Sequence, residues 1–250
     1  MPQYVLARHV FVCVQGEHVV FLDVRKDRYF ALESARTAGL GCFVPGWPVA
    51  APFGIDFVQQ DADSAARAFA ETLDRGTLSG VISLLLEKGI LIVNPEQGKA
   101  ADVTVAEPLR GDLTADGSDE RPRIGARLFL RFVTAAVRAR LLLKYRTFET
   151  VVERVKSRRG RTRAPVTDSE LAGLVSAFAT LRPFFFAAKD ACLFDALSLS
   201  EFLGGYGVIP HWVFGVQSRP FAAHCWLQLD GFVLNDTVDN VQRYTPIMVV

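Results

Sequence analysis

Cys192, His224 and Asp236, in that order along the chain, are the residue types of a thiol-based acyl-transfer centre. The cysteine is 32 residues from the histidine (224 − 192) and the histidine 12 from the aspartate (236 − 224). A thiol attacks an acyl carbon as the thiolate, and a helix N-terminus with a neighbouring imidazolium lowers its pKa enough to populate that form. Asp190 is a candidate N-cap, and Leu193, Ala196, Leu197 and Leu203 then recur on a helical apolar face. Cys192 falls in the first turn, where unpaired N–H groups point outward. In this arrangement His224 takes the thiol proton and later returns it to the leaving amine, while Asp236 holds the ring in the useful tautomer.

The elements that must carry these residues impose a constraint. Phe221 to Leu229 alternates as a strand, with His224, Trp226 and Gln228 on one face and Cys225, Leu227 and Leu229 on the other. A strict two-residue turn at Asp230-Gly231 pairs Cys225 with Asp236 and leaves the aspartate on the wrong face. A three-residue loop or a bulge pairs Trp226 with Asp236 and puts the carboxylate diagonal to His224. Bringing the three groups together therefore predicts an irregular turn.

The order of cysteine on a helix, histidine on a strand and carboxylate on the next suits a papain-like or transglutaminase-like enzyme. The surrounding words are more specific: Cys-Leu at a helix start, Gly207-Val208 entering a strand, Phe221-Ala222-Ala223-His224-Cys225-Trp226 and Leu234-Asn235-Asp236. Together they resemble the lasso-peptide leader peptidases, a bacterial transglutaminase-like family. The resemblance implies that Cys192 is the nucleophile, His224 the base and Asp236 the orienting acid. Cys225 stands where that family usually has alanine; a small residue packing inward, it is assigned no chemistry. The backbone N–H of Cys192 is an oxyanion donor, with Lys189 or Asp190 as candidates for the second. Thiol hydrolysis needs no cofactor.

The 250 residues allow one large domain or two small ones. Half are hydrophobic and the mean hydropathy is +0.21, enough for well-formed cores and against disorder. A net charge of +1 gives no global pull toward nucleic acid or membrane. The first residues, MPQYVLARHVFV, lack the charged start and long apolar run of a signal peptide. The apolar run from Phe129 to Leu143 is broken by Arg131, Arg138 and Arg140. The expected location is the cytoplasm, with Cys13, Cys42, Cys192 and Cys225 reduced and none in a metal-binding spacing.

The N-terminal part reads as strands: one through Val10, Val12 and Val14, a turn at Gln15-Gly16-Glu17, one from Val19 to Val24, and a third from Arg28 to Leu32. Helices follow at about Ser34–Leu40, Ala62–Leu73 and Leu78–Lys88, with a loop between Val44 and Phe57 and an apolar tail at Ile90–Val93. Three strands and three helices make a winged-helix pattern. Its last helix carries only Lys88 as a base, too little to neutralise several phosphates. Tyr29-Phe30-Ala31-Leu32 and Leu86-Glu87-Lys88-Gly89-Ile90-Leu91 instead resemble the PqqD-like precursor-recognition domain found at the front of fused lasso-peptide leader peptidases. That resemblance implies a leader peptide added as an extra strand beside the third strand. The contacts it implies come from Arg28, Tyr29, Phe30, Ala31 and Leu32, with Leu84 and Glu87 on the helix.

Residues 95–122 read as linker, broken by Pro95, Gly98, Pro108, Gly111, Gly117 and Pro122. Arg121 to Arg163 holds about fourteen basic residues, read mainly as a solvated face and otherwise as contact with an acidic leader or partner enzyme. Thr167 or Asp168 caps the next helix, and Phe184-Phe185-Phe186 should pack behind the helix of Cys192.

The expected class is α+β: a PqqD-like winged-helix domain over 1–94, a linker over 95–122, and a papain- or transglutaminase-like cysteine peptidase domain over 123–250. The resemblance implies partners as well: the leader segment of a ribosomally made lasso precursor, and an asparagine-synthetase-like cyclase that closes the macrolactam. Neither nucleic acid nor membrane is expected. Three other readings stand beside this one: a transglutaminase-like acyltransferase, a non-catalytic peptide scaffold and a DNA-binding winged helix.

Overall fold

A computed structural model describes residues 3–48, 75–113, 124–158, 166–185 and 192–250. The chain divides into two compact units, Met1–Val105 with Val216–Phe221, and Ala106–Gly215 with Ala222–Val250.

In the first unit β1 (Val5–Ala7), β2 (Val10–Gln15), β3 (His18–Asp23) and β4 (Arg28–Glu33) follow one another. Strands β2, β3 and β4 form an antiparallel meander in that spatial order, so β4 pairs on one side only among the described residues. Gly16, at φ 58°, supplies the left-handed residue of the first turn. The helix expected at Ser34–Leu40 is a short α1 (Ser34–Thr37) tightening into a 3-10 turn (Ala38–Cys42). Helix α2 (Arg75–Glu87) ends at Gly89, which has φ 70°. Its Val81 and Leu85 pack with Val10, Val12, Val19, Phe21 and Leu32 in one core. The tail forms β5 (Leu91–Ile92) and β6 (Gly98–Lys99), which flank β1 in a second small sheet. The helix expected at Ala62–Leu73 lies outside the described residues.

In the second unit β7 (Gly111–Asp112) precedes four helices: α3 (Ala126–Tyr145), α4 (Phe148–Lys156), α5 (Asp168–Leu181) and α6 (Cys192–Gly204). Strands β8 (His211–Ser218), β9 (Phe221–Leu229) and β10 (Phe232–Val233), a one-turn α7 (Val238–Val241) and β11 (Thr245–Val249) complete it. The sheet order is β11-β8-β9-β10-β7, with β10 antiparallel to β9 and parallel to β7. The two-residue strands β6 and β7 therefore fall within the stretch whose composition reads as linker, because its Gly-rich pieces fit against strand edges; 114–122 lie outside the described residues.

Helix α6 is the pillar of this unit. From Asp195 to Leu203 every residue is buried, as expected of a helix apolar on nearly all sides. It packs along α3, and Phe132, Phe178 and Phe202 make an aromatic run between α3, α5 and α6 with centroids 5.2 and 5.7 Å apart. Phe185 lies on Phe132 of α3, whereas Phe184 is 81% exposed, so the expected packing of all three phenylalanines behind α6 does not hold; Phe186 is outside the described residues. Thr167 and Glu170 form the reciprocal cap of α5.

Part of the basic stretch has a use that composition does not reveal. Glu201 of α6 is buried, and Arg158 meets it at 2.5 Å and Arg154 at 3.7 Å. Arg131 donates to the Gly205 carbonyl at 2.6 Å, just past the helix end, and covers the Tyr206 ring. Cations there complement the negative end of the helix dipole. The solvated-face reading therefore fails for Arg131 and Arg158, because one buried carboxylate and one helix terminus need them, while Arg154 stays exposed. Among the described residues no helix is long and apolar enough to cross a membrane.

Candidate active site

Cys192 is the first residue of α6 and is half-buried. Being first, it stands where the helix leaves N–H groups unpaired, so an anionic sulfur there is favoured. The proposed N-cap Asp190 and both proposed second oxyanion donors, Lys189 and Asp190, lie outside the described residues.

His224 is carried by β9 and Asp236 by the chain just after β10. His224 Nε2 and Asp236 Oδ2 are 2.5 Å apart, and His224 is near enough to Cys192 for each to shift the other's pKa. The imidazole is flanked by Trp226 and Tyr244, at centroid distances of 6.0 and 5.1 Å. Gly215 on β8 keeps this wall close, since a Cβ there would lie 2.8 Å from Tyr244 and 2.9 Å from Trp226. Asp236 also accepts from the Thr237 N–H at 2.7 Å and from Asn240 Nδ2 at 2.8 Å.

The route by which Asp236 arrives corrects the expectation of an irregular turn. Leu229 pairs with Phe232 and Gln228 with Val233, so the hairpin is a strict two-residue turn. Asp230 and Gly231 have φ of 50° and 85°, the left-handed pair of a type I′ turn. The regular register persists to Leu234, whose N–H donates to Leu227 O. The ladder then ends. The Leu227 N–H donates to the side chain of Asn235 (Oδ1, 2.8 Å) rather than to a backbone carbonyl. Freed from the pleat, the chain turns Asp236 toward His224. Asn235 Nδ2 in turn donates to Asp195 Oδ2 at 2.9 Å, and Arg182 Nη1 reaches the same oxygen at 3.3 Å. One amide thus ties the end of the hairpin to α6, one turn beyond Cys192.

Sequence reasoning assigned no role to Asn235, Asp195 or Arg182. The available signal was Asp195, a lone acid inside an apolar helix, because a buried carboxylate must have partners. Its pKa is raised by burial against the opposing pull of Asn235 and Arg182.

Cys225 also departs from its expected role. It is buried, as alternation implies, yet it neighbours Cys192 and contributes to lowering that thiol's pKa. The Cys225 thiol bond and, against desolvation, the His224 bond and charge bring the Cys192 pKa down to about 4. Burial keeps the Cys225 pKa well above the ordinary thiol value. Burial opposes protonation of His224, but bonds to Asp236 and Cys192 and the charges of both outweigh it and raise its pKa to about 9. Asp236, despite burial, is held below the ordinary carboxylate value by His224, Asn240 and Thr237. Between about pH 4 and about pH 9 the pair is thiolate and imidazolium. Such a pair can attack an acyl carbon and protonate the group that leaves. Among the described residues no cluster of three or more His, Cys, Asp or Glu side chains could hold a metal ion.

The residues expected to contact a leader peptide all lie in the first unit, on β4 and α2. Phe30 and Leu32 face its core, with the Phe30 ring 6.0 Å from Phe21 and under the Lys88 ammonium. Arg28 and Ala31 are exposed, Tyr29 is half-buried with its ring 5.6 Å from that of Phe221, Leu84 packs on the core and Glu87 is exposed.

Residues 133–249 match the family model of the transglutaminase-like superfamily. The chain therefore carries a transglutaminase-like domain there, of a superfamily of cysteine peptidases and acyltransferases, and the match takes in Cys192, His224 and Asp236. No curated protein and no solved structure matches the chain.

Proposed function

We propose that this chain is a cysteine peptidase that removes the leader from a ribosomally made lasso precursor. The observation that carries the chemistry is the His224–Asp236 contact, with Cys192 and His224 shifting each other's pKa, inside the transglutaminase-like domain. The Cys192 thiolate attacks the scissile carbonyl, with the Cys192 N–H as one donor to the oxyanion. The His224 imidazolium protonates the leaving amine, and the neutral imidazole then draws a proton from water that hydrolyses the thioester. Asp236 holds the ring for both steps.

The substrate class rests on the resemblance of the Phe221–Trp226 and Leu234–Asp236 words to the leader peptidases and of Tyr29–Leu32 to PqqD-like domains. It is supported by β4, whose outer edge has no strand neighbour among the described residues. An added peptide strand would satisfy that edge's N–H and C=O groups. In this reading residues 1–94 hold the leader, the remainder cuts it, and the released amine passes to an asparagine-synthetase-like cyclase in the cytoplasm.

The test is incubation of the full chain with a lasso precursor, followed by mass analysis. The expected products are free leader and core with a new amine; Cys192→Ala leaves precursor intact, a loss of about 10⁴-fold or more. An adduct between the leader carboxyl and an added amine would move the assignment to acyl transfer. Intact precursor with wild-type protein would refute the leader-peptidase reading.

A further inference from the structure

Helix α3 has two apolar faces and buries one of them. Phe132, Ala135, Ala136 and Ala139 are its buried residues, and α6 is the element it packs along. On the opposite side, at about 100° per residue, Leu130, Val137, Leu141 and Tyr145 fall in one stripe with Thr134. The four apolar residues are 65, 50, 49 and 67% exposed. Three of the four buried residues are alanines, whereas the exposed stripe is leucine, valine and tyrosine, so much of the apolar bulk of α3 lies outside. Single exposed apolar residues are ordinary; four in line over about 22 Å of one helix make a face that lacks a partner.

The edges of this stripe carry one sign of charge. Arg127 and Arg138 lie along one edge and Arg140 and Lys144 along the other, all four exposed, and Ala126–Tyr145 contains no aspartate or glutamate. The stripe covers about 80° of the helix circumference. That is the width of a seam between two helices, narrower than the broad apolar face of a helix lying in a lipid surface. Charges beside such a seam select its partner: bases on both edges repel a second copy of α3 and attract acids.

We propose that the outer face of α3 is a docking surface for an acidic amphipathic helix of a partner protein. The apolar ridge of that helix settles on Leu130, Val137, Leu141 and Tyr145, and its carboxylates meet the bases along both edges. These bases thus serve a different end from Arg131 and Arg158, which are held at the finish of α6. The inference stands on α3 alone and is independent of the peptidase reading.

The probe is a synthetic helical peptide with leucines on one face and glutamates on both flanks, titrated against the full chain by fluorescence anisotropy. The expected result is saturable binding that weakens as salt rises and is about tenfold or more weaker when the glutamates are glutamines. Val137→Glu, and Arg138→Glu combined with Lys144→Glu, should each weaken it by about tenfold or more. Arg25→Glu, an exposed change of equal charge in the first unit, should leave it unaltered. Urea midpoints near wild type show that the variants are folded, and the salt titration of wild type needs no variant at all. Carbodiimide coupling should join the bound peptide to Lys144. Equal affinity for the glutamate and glutamine peptides overturns the proposal, as does coupling elsewhere with both α3 variants binding normally. A dimer in sedimentation that Val137→Glu abolishes would give the face to a second copy instead. Co-sedimentation with phosphatidylserine vesicles, lost in both variants while the peptide fails to bind, would give it to a lipid surface; either result refutes the acidic helix.

Discussion

The two ends of α6 are built for opposite purposes. At its start Cys192 is half-open, with a pKa lowered by its neighbours Cys225 and His224. At its finish Glu201 is sealed between Arg154 and Arg158, and Arg131 closes the Gly205 carbonyl. Both ends use the helix dipole, an anion at the N-terminus and cations at the C-terminus. Only the first leaves its charge partly exposed. The difference teaches that a reactive helix end needs an inert one: the fixed C-terminal end holds the pillar on which the thiol must stand still. Substitution of His224 at the first end should alter rate without stability, and substitutions at the second should alter stability without changing how the thiol titrates.

The largest effect should come from His224→Ala. It removes both the proton carrier and the main charge facing Cys192, and turnover should fall on the order of 10³- to 10⁴-fold. The urea midpoint of unfolding should stay near that of wild type. A large drop in that midpoint would blur the contrast between the ends.

Next is Arg158→Ala, which leaves the buried Glu201 carboxylate with Arg154 alone. Removing one partner of a buried pair costs about 3–5 kcal/mol, and the remaining arginine should reduce this to about 2–3 kcal/mol. Urea denaturation measures it. The pH dependence of the surviving activity should be unchanged; a shifted profile would mean that the two ends are coupled.

Asn235→Ala sharpens the same comparison, because Asn235 supports the N-terminal end indirectly. The change leaves the Leu227 N–H and Asp195 short of a partner and loosens the turn that aims Asp236. An unsatisfied buried group costs about 1–3 kcal/mol. Turnover should fall about tenfold with little change in KM, and Asn235→Asp should fail to rescue it because a carboxylate would face Asp195. A KM effect with normal turnover would place Asn235 in substrate binding instead.

This position also marks where the sequence stopped being readable. The meeting of His224 with Asp236 was legible because thiol chemistry restricts the residue types and the order of elements. The strand positions of β2, β3 and β4 were legible from alternation and the Gly16 turn. The delivery of Asp236 was not, because strand periodicity assumes that backbone carbonyls accept every ladder bond. Here the Asn235 amide replaces one, and a regular Asp230-Gly231 turn suffices. Cys225 was legible as buried but not as a neighbour that shifts the Cys192 pKa. Alternation sorts side chains into faces without saying where the first turn of a distant helix will meet the strand. The arginines of α3 and α4 read as a solvated face because Glu201, their buried partner, is far along the chain. The coarse class was carried by the order of three residues, and its transglutaminase-like part coincides with the matched region.

The central claim is the ionic state of Cys192, and the most direct measurement is its alkylation by iodoacetamide as a function of pH, followed by peptide mapping. The account predicts that Cys192 reacts on a plateau through neutral pH and loses reactivity only as pH falls toward about 4, where the thiolate is protonated. A further change is expected near pH 9, where His224 gives up its proton. Cys225→Ala, which deletes the leading stabiliser of the thiolate, should move the acid limb upward while leaving the step of His224 in place. A Cys192 reactivity that climbs steadily through about pH 8.5, the range of an ordinary thiol, with no plateau below it, would contradict the account.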